Sequence, residues 1–84
     1  MPKLAADDLF TNRLRALCRR LASEHTDGTF RLSRYFAAGR LGLTDRGALS
    51  RINFLLHAGE IELVEAGDRK SRRASRYRLR GLRE

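Results

Sequence analysis

The sequence predicts a small α+β domain with three helices, a C-terminal two-stranded β-hairpin and a short strand over 29–32. Three observations predict it. Apolar residues recur at helical spacing in separate stretches, later stretches alternate apolar with polar residues, and glycines or capping residues punctuate the joins. At 84 residues the chain has room for one domain. Its expected bounds are 7–80, with a disordered start at 1–6 and a frayed tail at 81–84.

The first helix is expected over 7–24. Phe10, Leu14, Leu17, Cys18 and Leu21 follow one another at intervals of 4, 3, 1 and 3, which is one helical face. Arg13, Arg15, Arg19 and Arg20 fall mostly off that stripe, and Asp7 and Asp8 suit the positive end of the helix dipole. Cys18 lies on the stripe and reads as a small core residue. The turn chemistry of His25-Thr26-Asp27-Gly28 precedes Thr29-Phe30-Arg31-Leu32, an alternating run of strand formers. Ser33 then caps a short second helix over 34–38, extending towards 40, with Gly39 and Gly42 breaking the pattern and Leu43 as a core anchor.

Thr44 caps the third helix, expected over 45–58, with Asp45 in its first turn. Ala48, Leu49, Ile52, Leu55 and Leu56 share one arc, while Arg46, Ser50, Asn53 and His57 lie opposite. Gly59 ends it. The run 60–65 alternates as a strand, and 75–80 alternates again, with Tyr77 and Leu79 on one face and three arginines on the other. Paired antiparallel, the two would set Glu60, Glu62 or Glu65 against Arg76, Arg78 or Arg80. The basic stretch 69–74 becomes the connecting loop.

Charge carries the functional signal. The formal net charge is +8. Residues 1–68 hold 10 basic and 9 acidic side chains, whereas residues 69–84 hold 8 basic and 1 acidic, so the excess sits at the C-terminal end. Sixteen of the basic residues are Arg and two, Lys3 and Lys70, are Lys. The guanidinium fork suits phosphate and guanine, and the concentration of charge points to a polyanion partner.

Several classes are disfavoured. No apolar run approaches the roughly 20 residues of a membrane span, and Met1-Pro2-Lys3-Leu4-Ala5-Ala6 leads straight into two aspartates rather than a signal peptide. The single cysteine forms no disulfide framework and no multi-cysteine zinc site. His25, His57 and Cys18 show no ligand spacing, and Gly39, Gly42 and Gly47 lack the ending of a phosphate-binding P-loop. The expectation is a cytoplasmic, nucleoid-associated protein that is not an enzyme and carries no metal, cofactor or small-molecule ligand.

The order of elements, with Leu41-Gly42-Leu43-Thr44 followed by Ala48, Ile52, Leu55, Gly59 and Ile61, resembles the bacterial winged helix-turn-helix pattern. The likeness covers about 29–79. In that family a Leu-Gly-(Val/Leu)-(Ser/Thr) turn precedes the recognition helix, and Ala37-Ala38 stand where the family often has Leu-Ala. The chain departs from the pattern at Gly47, in the first turn of the third helix, where Gly either admits a phosphate or is tolerated in a frayed turn. It departs again at Phe54, whose open roles are contact with thymine methyls, packing beneath the hairpin or a subunit interface. Gly39 also shortens the second helix.

The resemblance implies sequence-specific binding of double-stranded DNA, with transcriptional regulation as the role and the third helix in the major groove. Arg46, Ser50 and Asn53, flanked by Arg51, become candidates for base contact, because Arg matches guanine and Asn matches adenine in paired hydrogen bonds. Thr44 and Arg34 become phosphate contacts. Arg69, Lys70, Arg72 and Arg73 would follow the backbone or enter the minor groove, supplying affinity rather than discrimination. A homodimer on two half-sites is expected, with the first helix or the chain ends as its surface. Two other readings stay open: an RNA- or ribosome-binding winged helix, and a protein-interaction adaptor in a replication or partition complex. The aromatic residues are assigned mostly to the core, which disfavours stacking on unpaired bases.

Overall fold

The computed structural model describes residues 9–68, 70 and 73–81. The expected disordered start at 1–6, Asp7 and Asp8, and residues 82–84 of the expected tail lie outside the described residues. The elements run α1 (Leu9–Ala22), β1 (Thr29–Leu32), α2 (Arg34–Leu41), α3 (Asp45–His57), β2 (Ile61–Glu65) and β3 (Ser75–Leu79). Three helices thus pack with a three-stranded antiparallel sheet of order β1-β3-β2. The expected short strand at 29–32 is present and does more than the sequence reading asked of it. It pairs along β3 with Phe30 opposite Tyr77, so the hairpin is anchored to the body of the domain.

Local chemistry fixes the joins. The Ser33 hydroxyl accepts from the Phe36 N–H at 3.0 Å, and the Thr44 hydroxyl accepts from the Gly47 N–H at 3.0 Å, capping α2 and α3. At the end of α3, Gly59 adopts φ 76°, the Gly59 N–H donates to Leu56 C=O and the Glu60 N–H donates to Leu55 C=O. This is a Schellman closure, and it needs the left-handed residue that glycine supplies. The helix therefore stops at His57, and Glu60 precedes β2 instead of belonging to it.

The core is built from Leu14, Leu17 and Cys18 of α1, Phe30 and Leu32 of β1, Ala37, Ala38 and Leu41 of α2, Ala48, Ile52 and Leu55 of α3, and Ile61 and Tyr77 of the hairpin. Phe54 and Leu43 pack against it partly buried, which gives Phe54 the packing role among those open to it. The Phe30 and Tyr77 rings meet at 6.0 Å between centroids, and burial pushes the Tyr77 hydroxyl pKa up.

Three expectations are corrected. Arg15 is not off the buried stripe. Its Nε and Nη2 donate to Glu60 Oε1 and Oε2 at 2.8 and 2.9 Å, its Nη1 donates to Asn12 Oδ1 at 2.6 Å, and both side chains of the ion pair are 3% exposed. Glu60 accordingly faces α1 and not the arginines of β3. The aromatic assignment also changes. Tyr35 and Phe36 are 60% and 43% exposed, because the core face of α2 is set by Ala37, Ala38 and Leu41 and turns both rings outward. Leu63 and Val64 of β2 are exposed. The register slips between Leu63 and Glu65, which breaks the regular alternation of β2 there.

Candidate nucleic-acid interface

The exposed flank of α3 carries Arg46, Asn53 and His57, with Ser50 half-buried beside them. Helical geometry explains the grouping. Ala48, Ile52 and Leu55 are drawn into the core, so positions on the far side of the cylinder are left in solvent. Arg51 belongs to another flank, about 140° around the helix from Arg46. Its Nη1 donates to Gly47 C=O at 3.1 Å, and its guanidinium lies 5.5 Å from the centre of the Phe10 ring of α1. The structure therefore brings Arg46, Ser50 and Asn53 together and sets Arg51 apart from them.

Thr44 stands exposed at the start of α3, its oxygen engaged by the Gly47 amide. A Cβ at Gly47 would lie 3.1 Å from that oxygen, so the glycine leaves room for the cap itself. Arg34 opens α2. Its Nη2 donates to the Tyr35 hydroxyl at 3.0 Å and its guanidinium sits 5.0 Å from the Tyr35 ring centre. That hydrogen bond pushes the Arg34 pKa further up from an already basic value.

A cleft of about 620 Å³ joins these elements to the hairpin. Arg34 and Tyr35 line it from α2, Leu49 from α3, and Asp68, Arg73 and Tyr77 from the sheet side. Leu49 neighbours Asn53 and Arg46 on the helix surface, one turn away in each direction. The Leu49–Ile52 side of α3 and the hairpin arms are thus two walls of one cleft, and the open flank of α3 lies beside it.

The hairpin arms are held tightly at their far end. Asp68 and Arg73 exchange both backbone hydrogen bonds at 3.0 Å, and the Gly67 N–H donates to the Ser75 hydroxyl at 2.9 Å. The Lys70 N–H donates to Asp68 Oδ1 at 2.9 Å, folding the turn. Lys70 and Arg73 are exposed, and Arg73 Nη1 lies 3.8 Å from Glu65 Oε2. Arg69 and Arg72 lie outside the described residues.

Two features were missed in the sequence. Tyr35 borders the cleft, and nothing in the spacing distinguishes it from a core aromatic. The Arg15–Glu60 pair left a trace, because Thr11, Arg15, Cys18 and Ala22 are spaced 4, 3 and 4 and all are buried. The periodicity was there, carried by polar residue types that an apolar count passes over.

Among the described residues no group of three or more His, Cys, Asp or Glu is placed to hold a metal ion, and no helix is long and apolar enough to cross a membrane. Comparison with protein-family models, with curated proteins and with solved structures finds no match for this chain.

Proposed function

We propose that this protein is a winged helix-turn-helix that binds double-stranded DNA in a sequence-specific manner and regulates transcription. The observation that carries the reading is a cleft lined by the start of α2, by Leu49 and Ile52 of α3 and by Asp68 and Arg73 of the hairpin, with the polar flank of α3 adjoining Leu49 along the helix surface. In this arrangement α3 enters the major groove, with Arg46 and Asn53 offering paired hydrogen bonds to base edges and Ser50 and His57 beside them. Arg34, Lys70, Arg73 and, in the same loop, Arg69 and Arg72 neutralise phosphates. Thr44 keeps a hydroxyl proton to donate to a phosphate oxygen while its own oxygen caps the helix. Arg51 adds charge on the α1 flank and takes no part in base contact. One domain reads few base pairs, so two copies act together on paired half-sites.

Selection of bound duplexes from a random DNA pool tests the reading. Enrichment of a palindromic consensus is expected, and Arg46→Ala should flatten that consensus while Arg73→Ala weakens all duplexes alike. A pool that stays random after repeated selection contradicts it.

The outward Tyr35 and Phe36, each with an arginine over its ring, favour RNA as the second reading, because exposed aromatics stack unpaired bases. Structured RNA displacing duplex DNA at equal nucleotide concentration would select it.

A further inference from the structure

The face of the sheet turned away from the helices holds a second concentration of charge. On β3, Tyr77 points into the core and lines the cleft, so Arg76 and Arg78 project from the opposite face. Arg31 on β1 lies directly across from Arg76. Like charges facing each other across an antiparallel pair cost stability, and here only one of the two, Arg31, is neutralised by a carboxylate. Glu65, opposite Arg76 on β2, is taken by Arg31 at 3.1 Å and by Arg73 at 3.8 Å. Glu62, opposite Arg78, is taken by Arg80 at 3.4 Å. Neither Arg76 nor Arg78 makes an ion pair with any described residue. Two half-buried arginines therefore project from backbone positions about 7 Å apart along one strand, with the carboxylates opposite them on β2 paired elsewhere.

We infer that this outer face, through Arg76 and Arg78, binds the phosphate backbone of a second DNA duplex, so that one molecule bridges two duplexes. The inference rests on the DNA-binding reading of the opposite side. The surface chemistry selects the occupant. Protein partners are gripped by apolar and aromatic anchors in pockets, and the outward row of Arg31, Arg76, Arg78, Glu62 and Glu65 has none. A phosphodiester backbone needs only a regular row of donors and charge. Asp27 and Glu24, in the hollow beside β1 that Arg31 and Arg76 also line, bound the cationic strip on that side.

A bead-bound duplex loaded with the protein and offered a second, fluorescent duplex tests this. The wild-type chain is expected to capture the labelled duplex. Arg76→Gln with Arg78→Gln should cut capture roughly tenfold, as expected for two lost phosphate contacts, while binding to the bead duplex changes little. Arg76→Lys with Arg78→Lys, which keeps the charge, should restore capture. Undiminished capture by the glutamine variant would place bridging elsewhere, for instance in a dimer, and overturn the inference. So would a wild-type chain that holds the first duplex but never a second, or a polyglutamate peptide that displaces the label better than unlabelled duplex at equal charge. Failure to hold even the first duplex would instead remove the DNA-binding reading on which the inference stands.

Discussion

Neutralising Glu60 leaves the Arg15 guanidinium buried without its counter-charge. Removing one partner of such a pair costs about 3–5 kcal/mol, whereas replacing both by apolar groups of similar size is often nearly neutral. Glu60→Gln should therefore lower the unfolding free energy by several kcal/mol in urea titration, and Arg15→Met with Glu60→Met together should lower it far less. Equal loss in both would mean that the ion pair itself, and not the stranded charge, accounts for the cost. One turn along α1, burial pushes the Cys18 thiol from 9.0 up to about 12. The unfolded thiol ionises near 9.0 while the folded one stays protonated, so the unfolded state holds fewer protons at high pH and stability falls there. That contribution is whole below pH 9.0 and is lost between 9.0 and about 12. Thermal melts across this range should steepen their decline in the wild type relative to Cys18→Ala, and a thiol reagent at pH 8 should label only unfolded chains.

Among the elements, the hairpin depends on Gly67. A Cβ there would lie 2.4 Å from Arg73 C=O and 2.9 Å from the Ser75 nitrogen, both backbone atoms with no freedom to retreat. Gly67→Ala should open the far end of the hairpin, seen as faster amide exchange at Asp68 and Arg73 and weaker binding to all duplexes, with the α3 amides unchanged. Slow exchange at those two amides in the variant would show that the arms tolerate the side chain. The helices and strands were legible in the sequence because each follows a simple periodicity with a cap or glycine at its end. Ser33, Thr44 and Gly59 do in the structure what their residue types suggested. The pairing of β1 with β3 was not legible, since four alternating residues carry no mark of their partner. The outward turn of Tyr35 and Phe36 was hidden for a related reason: Ala37 and Ala38 are too small to announce that they, and not the aromatics, define the buried face. The slip at Val64 likewise depends on pairing across strands, which no local pattern records. Of the candidate site, the grouping of Arg46, Ser50 and Asn53 and the offset of Arg51 from them both follow from the helical repeat, whereas the contact of Arg51 with Phe10, some forty residues earlier, was not legible.

Across the chain as a unit, the charge imbalance and the fold reinforce one another. The excess positive charge lies almost entirely in 69–84, and among the described residues of that stretch the fold places Arg73 at the cleft beside α3 and Arg76 and Arg78 on the opposite face of the sheet. Binding should accordingly be dominated by counterion release. If about six phosphates are neutralised, the logarithm of the affinity for duplex DNA should fall with the logarithm of salt concentration at a slope near −5, approximately. Fluorescence anisotropy of a labelled duplex, titrated at several salt concentrations, measures this slope. A value close to −5 is the expected result; a slope shallower than about −2 would contradict the joint cationic surface built from the polar flank of α3 and the hairpin.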